Sequence, residues 1–117
     1  MKTILIIEDI EFNIDLLFQI LEDDYDLIVA RDGEQGVAMA EQKKPDLILM
    51  DISLPIIDGY EATRRIHNNF PSLPIIGLSA HAMSSDADKA KAAGCVDYLT
   101  KPVDEDMLVK KIKEYIG

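Results

Sequence analysis

Tryptophan is missing from this 117-residue chain, and aromatic residues make up only 6% of it. Any core must therefore be built from aliphatic side chains. Cysteine occurs once, at Cys95, which excludes an internal disulfide and fits a reducing compartment. Basic residues are scarce, 12 against 22 acidic ones, for a net charge of −10. That balance offers no basic face for direct DNA or RNA binding, and none for anionic lipid. No apolar run is long enough to span a bilayer. Ile4 to Ile7 run straight into Glu8-Asp9, which is not the pattern of a signal peptide. The expectation is a cytoplasmic protein without membrane contact. Linkers, low-complexity segments and an internal sequence period are also lacking, so residues 1–117 read as one domain.

What is present is a short run, Leu47-Ile48-Leu49-Met50-Asp51, entered through Pro45-Asp46. Four consecutive apolar residues read as a strand buried on both faces. It stops on a carboxylate, which is costly to hold in an apolar setting and so belongs at the strand's open end. In open α/β sheets that end is where sites form. Four more strands are expected, at Thr3–Ile7, Asp26–Ala30, Ile75–Ser79 and Val96–Leu99. Helices are expected between and after them, at Glu11–Asp23, Glu34–Lys43, Tyr60–Asn69, Ser84–Ala93 and a last one capped by Asp104. The first carries Ile14, Leu17, Ile20 and Leu21, and the last Leu108, Ile112 and Ile116. The fourth is nearly all alanine on its apolar side and buries little. Strand and helix alternate five times, which implies a parallel sheet with helices on both faces.

In a parallel sheet all five strand endings lie on one edge. Glu8-Asp9, Asp51, Ser79 and Thr100-Lys101 then meet there, three carboxylates with one hydroxyl and one ammonium. Carboxylates so close cannot all stay ionised without a counter-charge. Mg²⁺ is the natural one, since it takes a few oxygen ligands and keeps exchangeable positions for phosphoryl oxygens. The pattern suits a dianionic tetrahedral group on, or arriving at, Asp51.

Glu8-Asp9, Met50-Asp51, the stretch Leu54 to Gly59, Leu78 to Met83 and Lys101-Pro102 together resemble the signature set of response-regulator receiver (CheY-like) domains. The stand-alone DivK type and the receivers of hybrid histidine kinases are the most similar. The resemblance implies a flavodoxin-like (βα)5 fold, a doubly wound five-stranded sheet in the order 2-1-3-4-5. It implies that Asp51 takes a phosphoryl group from a phosphohistidine. It assigns Mg²⁺ to Asp9, Asp51, the backbone carbonyl of Ser53 and, through water, Glu8. Ser79 and Lys101 would bind phosphoryl oxygens, and Tyr98 would be the switch aromatic. Ser53 and His81 would tune the lifetime of the phosphoryl group, and the Lys101-Pro102 bond would be cis. The implied partners are a histidine kinase or a histidine phosphotransfer protein, and a downstream protein target. Contact with that target would change on the face of the fourth helix, fifth strand and fifth helix. No output domain follows the fifth helix, so output is expected through protein contact. The chain would be no enzyme toward a separate substrate, catalysing only its own phosphorylation and dephosphorylation. Glu8 departs from the aspartate frequent at its position and reaches further.

Two other classes compete. A Mg²⁺-dependent aspartyl-phosphate phosphatase of the haloacid-dehalogenase type would need a second aspartate two residues after the nucleophile, where Ser53 stands. A flavodoxin-like ligand-binding module would need a glycine-rich phosphate loop where Glu8-Asp9 stands. Blander roles are also read for particular residues. Cys95 is expected as a small buried hydrophobe, His67 as a solvated helix residue, and Gly59 as a concession to loop backbone conformation.

Overall fold

The computed structural model describes residues 1–54, 58–80 and 84–117, with side chains left aside for 84–86. His81 and residues 55–57 lie outside the described residues. The strands are β1 (Thr3–Ile7), β2 (Asp26–Ala30), β3 (Leu47–Asp51), β4 (Ile75–Ser79) and β5 (Asp97–Thr100). The helices are α1 (Glu11–Leu21), α2 (Gly33–Lys43), α3 (Gly59–Asn69), α4 (Ser84–Ala93) and α5 (Glu105–Ile116). All strand pairs are parallel and the order is β2-β1-β3-β4-β5, as the resemblance implied.

The two faces of the sheet can be read from side-chain alternation. Ile4, Ile6, Leu47, Leu49, Ile76, Leu78 and Leu99 join Leu17 and Leu21 of α1 and Leu108, Ile112 and Ile116 of α5 in one core. Leu5, Ile7, Ile48, Met50 and Ile75 join Ala40, Ala62, Ile66 and Ala90 of α2, α3 and α4 in the other. Every residue of β3 and β4 is buried, as expected of central parallel strands with helices on both sides.

Several boundaries differ from expectation. The first helix ends at Leu21 rather than Asp23, because Leu21 is the last residue of its buried stripe and Glu22 already caps it. The fifth strand runs Asp97–Thr100 rather than Val96–Leu99. Val96 is 43% exposed, and pairing with β4 sets the register Ile76↔Asp97 through Ser79↔Thr100. Asp32 and Asp58 cap α2 and α3 by accepting from the Gln35 and Glu61 N–H groups. Asp104 caps α5 by accepting from Met107 N–H, as expected.

Two glycines carry this packing. Gly59 opens α3 directly against the end of β3, where a Cβ would lie 2.4 Å from the Asp51 carbonyl oxygen and 2.5 Å from Ile52 Cα. Its requirement is steric space against rigid backbone, not loop conformation. Gly94 ends α4 at a φ of +125°, and a Cβ there would lie 2.6 Å from His67 Cγ. His67 is therefore packed rather than solvated, and its Nδ1 is buried without a hydrogen-bond partner among the described residues.

Candidate functional site

Period-two alternation continues past the strand ends and sorts the polar residues by face. Ile4 and Ile6 point toward α1 and α5, so Glu8 follows them. Leu47 and Leu49 carry Asp51 to the same side, and Leu99 carries Lys101 there. The register Ile7↔Met50 then sets Glu8 beside Asp51 on neighbouring strands. Ser79 and Tyr98 have the other parity. Tyr98 stands opposite Gly77 in the β4–β5 register and packs against the core under α3 and α4.

The geometry brings the charged residues together. Glu8, Asp9 and Asp51 each present a carboxylate oxygen within 4.8 Å of the others'. Glu8 and Asp51 are only 1% and 3% exposed, whereas Asp9 is exposed. Lys101 Nζ lies 2.8 Å from Glu8 Oε1 and 3.4 Å from Asp51 Oδ1, so a single ammonium serves both buried carboxylates. Asp51 Oδ1 also accepts from the Ser53 N–H at 3.0 Å, while Ser53 itself is exposed. Glu8 Oε2 accepts from the N–H groups of Asp9 and Ile10, at 3.0 and 3.2 Å. Ser79 is buried at the end of β4, and its carbonyl accepts from Lys101 N–H at 2.7 Å. The Lys101-Pro102 bond is cis. Three carboxylates close together, with one ammonium against two of them, suit a small divalent cation beside a phosphoryl group.

Away from this edge, Asp97 on β5 accepts from Lys111 Nζ at 3.0 Å and from the Tyr115 hydroxyl at 3.3 Å. Burial pushes its carboxyl up, but hydrogen bonds from Tyr98 N–H, Lys111 and Tyr115, with the Lys111 charge, outweigh that and hold it below the usual value. Cys95 is buried beside Thr63, and burial pushes its thiol up to about 11, the behaviour of a small core residue.

Sequence reasoning missed two features. One is the direct Glu8–Lys101 ion pair; the extra methylene of Glu8 was its signal. The other is a pair of exposed apolar residues beside the site, Ile10 at 51% and Phe12 at 74%. Phe12 falls out of phase with the buried Ile14, Leu17 and Leu21 stripe of α1, which was visible in the sequence, whereas Ile10 keeps the spacing of that stripe but precedes the helix as an extended N-cap. Phe12, Leu16, Leu17, Leu78, Pro102 and Val103 line a hollow between α1 and the start of α5, with Glu8 and Lys101 also in its wall.

Comparison with known proteins agrees with this geometry. A family model described as the response regulator receiver domain matches residues 4–113. The polar-differentiation response regulator DivK of Brucella anthropi is 34% identical over 99% of this chain and 97% of its own length. The receiver domain of sensor histidine kinase PA1611 from Pseudomonas aeruginosa, solved with a magnesium ion coordinated in its active site cleft, is 38% identical. It superposes with a TM-score of 0.91 over 99% of this chain and 98% of that one. The receiver domain of Saccharomyces cerevisiae Ssk1, in co-crystals with the histidine phosphotransfer protein Ypd1, is 31% identical, with a TM-score of 0.91 over 97% and 88% of the two chains. With a family model matching most of the chain, a matching fold and relatives of nearly equal length, the chain belongs to the response regulator receiver domain family of two-component signalling.

Proposed function

We propose that Asp51 is the phospho-acceptor and that residues 1–117 act as one receiver domain. The observation that carries this reading is the single Lys101 ammonium between Glu8 and Asp51, within a cluster whose three carboxylates come within 4.8 Å of one another. A carboxylate oxygen of Asp51 attacks the phosphorus of a phosphohistidine. The P–N bond breaks, its electron pair stays on the imidazole nitrogen, which takes a proton from solvent, and an acyl phosphate remains on Asp51. Phosphoryl transfer leaves little covalent work for the protein, so positioning and charge neutralisation dominate. Lys101 and the Ser79 hydroxyl hold phosphoryl oxygens. Asp9, Asp51, the Ser53 carbonyl and Glu8 would hold Mg²⁺, which neutralises charge on the transferring group. Attack of water on the same phosphorus returns the free carboxylate, so the chain acts only on its own phosphoryl group. Ser53, which is exposed, and His81 tune that return.

The donor is a histidine kinase or a histidine phosphotransfer protein, and Ile10 and Phe12 give such a protein apolar contact beside Asp51. The DivK and Ssk1–Ypd1 likenesses support both the module and the partner class. Output passes through the α4–β5–α5 face to a downstream protein target. Movement of Ser79 toward the phosphoryl group leaves space that the Tyr98 ring fills, biasing a two-state element. The Tyr98→Ala variant should accept phosphate normally and discriminate less between partners. Among the described residues no helix is long and apolar enough to cross a membrane, and we place the protein in the cytoplasm.

The test is incubation with acetyl phosphate and Mg²⁺, followed by intact-mass measurement. Wild type should gain one phosphoryl group and lose the gain in chelator, and Asp51→Asn should gain none. Equal labelling of the two proteins refutes the reading.

A further inference from the structure

Both oxygens of Glu8 are engaged, and they hold different parts of the chain. Oε1 accepts from Lys101 at 2.8 Å, at the start of the segment leading into α5. Oε2 accepts from the N–H groups of Asp9 and Ile10. Ile10 is the N-cap of α1 and supplies no side-chain cap of its own. Its carbonyl accepts from Asn13 and Ile14 N–H at 3.0 and 3.1 Å, so the peptide that opens α1 hangs from Glu8 on one side and starts the helix on the other. These two segments form opposing walls of the hollow between Phe12 and Val103.

We propose that Glu8 is a positioning residue whose carboxylate clasps the β1–α1 and β5–α5 segments together, and that phosphorylation opens the clasp. This rests on the phospho-acceptor reading above, since it needs Lys101 to be drawn toward a phosphoryl group on Asp51. A carboxylate 1% exposed that loses its ammonium is left with an uncompensated buried charge, which is costly. It must turn toward the cation or toward water, and turning breaks the bonds from Asp9 and Ile10. The opening of α1 then moves against Pro102-Val103, and the hollow changes shape. This rearrangement lies on the α1–α5 side of the sheet, opposite the side on which Tyr98 lies, and accompanies the change on the α4–β5–α5 face. Aspartate, one methylene shorter, cannot reach both its own following amides and Lys101, so the clasp depends on the glutamate found here.

The test follows backbone amide resonances in wild type, Glu8→Asp and Glu8→Gln, first without metal, then with Mg²⁺, then with Mg²⁺ and beryllium fluoride. Ile52 reports occupancy of the site, Asp9 and Ile10 report the clasp, and Phe12 and Val103 report the hollow. In wild type, beryllium fluoride should shift all five. In Glu8→Asp, Ile52 should still shift, while Asp9 and Ile10 should start at their released positions and Phe12 and Val103 should stay nearly still. Equal shifts at Phe12 and Val103 in wild type and Glu8→Asp, with Ile52 responding in both, overturn the clasp. An unresponsive Ile52 in wild type refutes the phospho-acceptor reading, and with it the opening on phosphorylation. The clasp itself is judged separately, by metal-free amide exchange. Asp9 and Ile10 should exchange about tenfold faster in Glu8→Asp, and unchanged exchange overturns it. If Glu8→Asp does not fold, Glu8→Gln serves, because a neutral amide keeps the shape and gives up the charge that holds Lys101.

Discussion

The two helical layers that sandwich the sheet are built from different materials. On one side α1 and α5 bury Leu17, Leu21, Leu108, Ile112 and Ile116 against the strands. On the other, α2, α3 and α4 bury mainly small residues, Gly33, Gly36 and Ala40, Gly59 and Ala62, Ala90 and Ala93, with Ile66 the large aliphatic among their described buried positions. The charged site follows the first layer, since Glu8, Asp51 and Lys101 continue its parity. Ser79 and Tyr98 follow the second. Large side chains interlock and hold a cluster of charges to tight tolerances, whereas alanine contacts are shallow and cheap to rearrange. The charged residues thus sit over the tightly packed layer, and Tyr98 sits over the layer whose contacts are easier to rearrange.

Substitutions can break this contrast. Truncating Ile112 to Ala removes a fully buried side chain from the heavy layer and should cost about 2–5 kcal/mol in urea unfolding followed by circular dichroism. Gly59→Ala should cost roughly 1–3 kcal/mol, because the new methyl meets β3 backbone that cannot yield. Ala90→Gly in the light layer should cost about 1 kcal/mol, mostly helix propensity. A loss at Ala90 equal to that at Ile112 would erase the distinction between the layers.

Smaller effects sharpen it. Asp97 ties β5 to α5 through Lys111 and Tyr115. Its carboxyl is depressed in the folded state, so its contribution is present above the ordinary carboxylate value of 3.8 and fades as pH falls toward its lower folded value. Acid titration of stability should therefore fall less steeply below pH 3.8 in Asp97→Asn than in wild type, with an effect smaller than any of the packing changes. Cys95, pushed up to about 11 and buried, should not react with a disulfide reagent at pH 8 until the protein unfolds. Fast labelling of the native protein would mean that the light layer opens at that point.

Much of this organisation was legible in the sequence. Continuous apolar runs marked β1, β3 and β4, because strands buried on both faces have no reason to alternate. The carboxylates and lysine at the run ends marked the site, because a parallel sheet gathers those ends on one edge. What the sequence concealed was pairing and proximity. Nothing local says that Asp97 rather than Val96 opens β5, since register against β4 decides it. Gly59 looked like loop chemistry because its neighbour in space, the Asp51 carbonyl, lies eight positions earlier and enters only when α3 docks. His67 looked solvated for the same reason, its partner Gly94 being on another helix. Glu8 was found as an acidic residue, but its two-sided use depends on Lys101, 93 residues away.

The most direct measurement locates the phosphoryl group. Protein phosphorylated by acetyl phosphate is reduced with borohydride, which converts an aspartyl phosphate to homoserine, and is then digested and sequenced by mass spectrometry. The account predicts the homoserine at Asp51 alone. Conversion at Glu8 or Asp9 instead, or a stable phosphate on a hydroxyl or histidine with Asp51 intact, would contradict it.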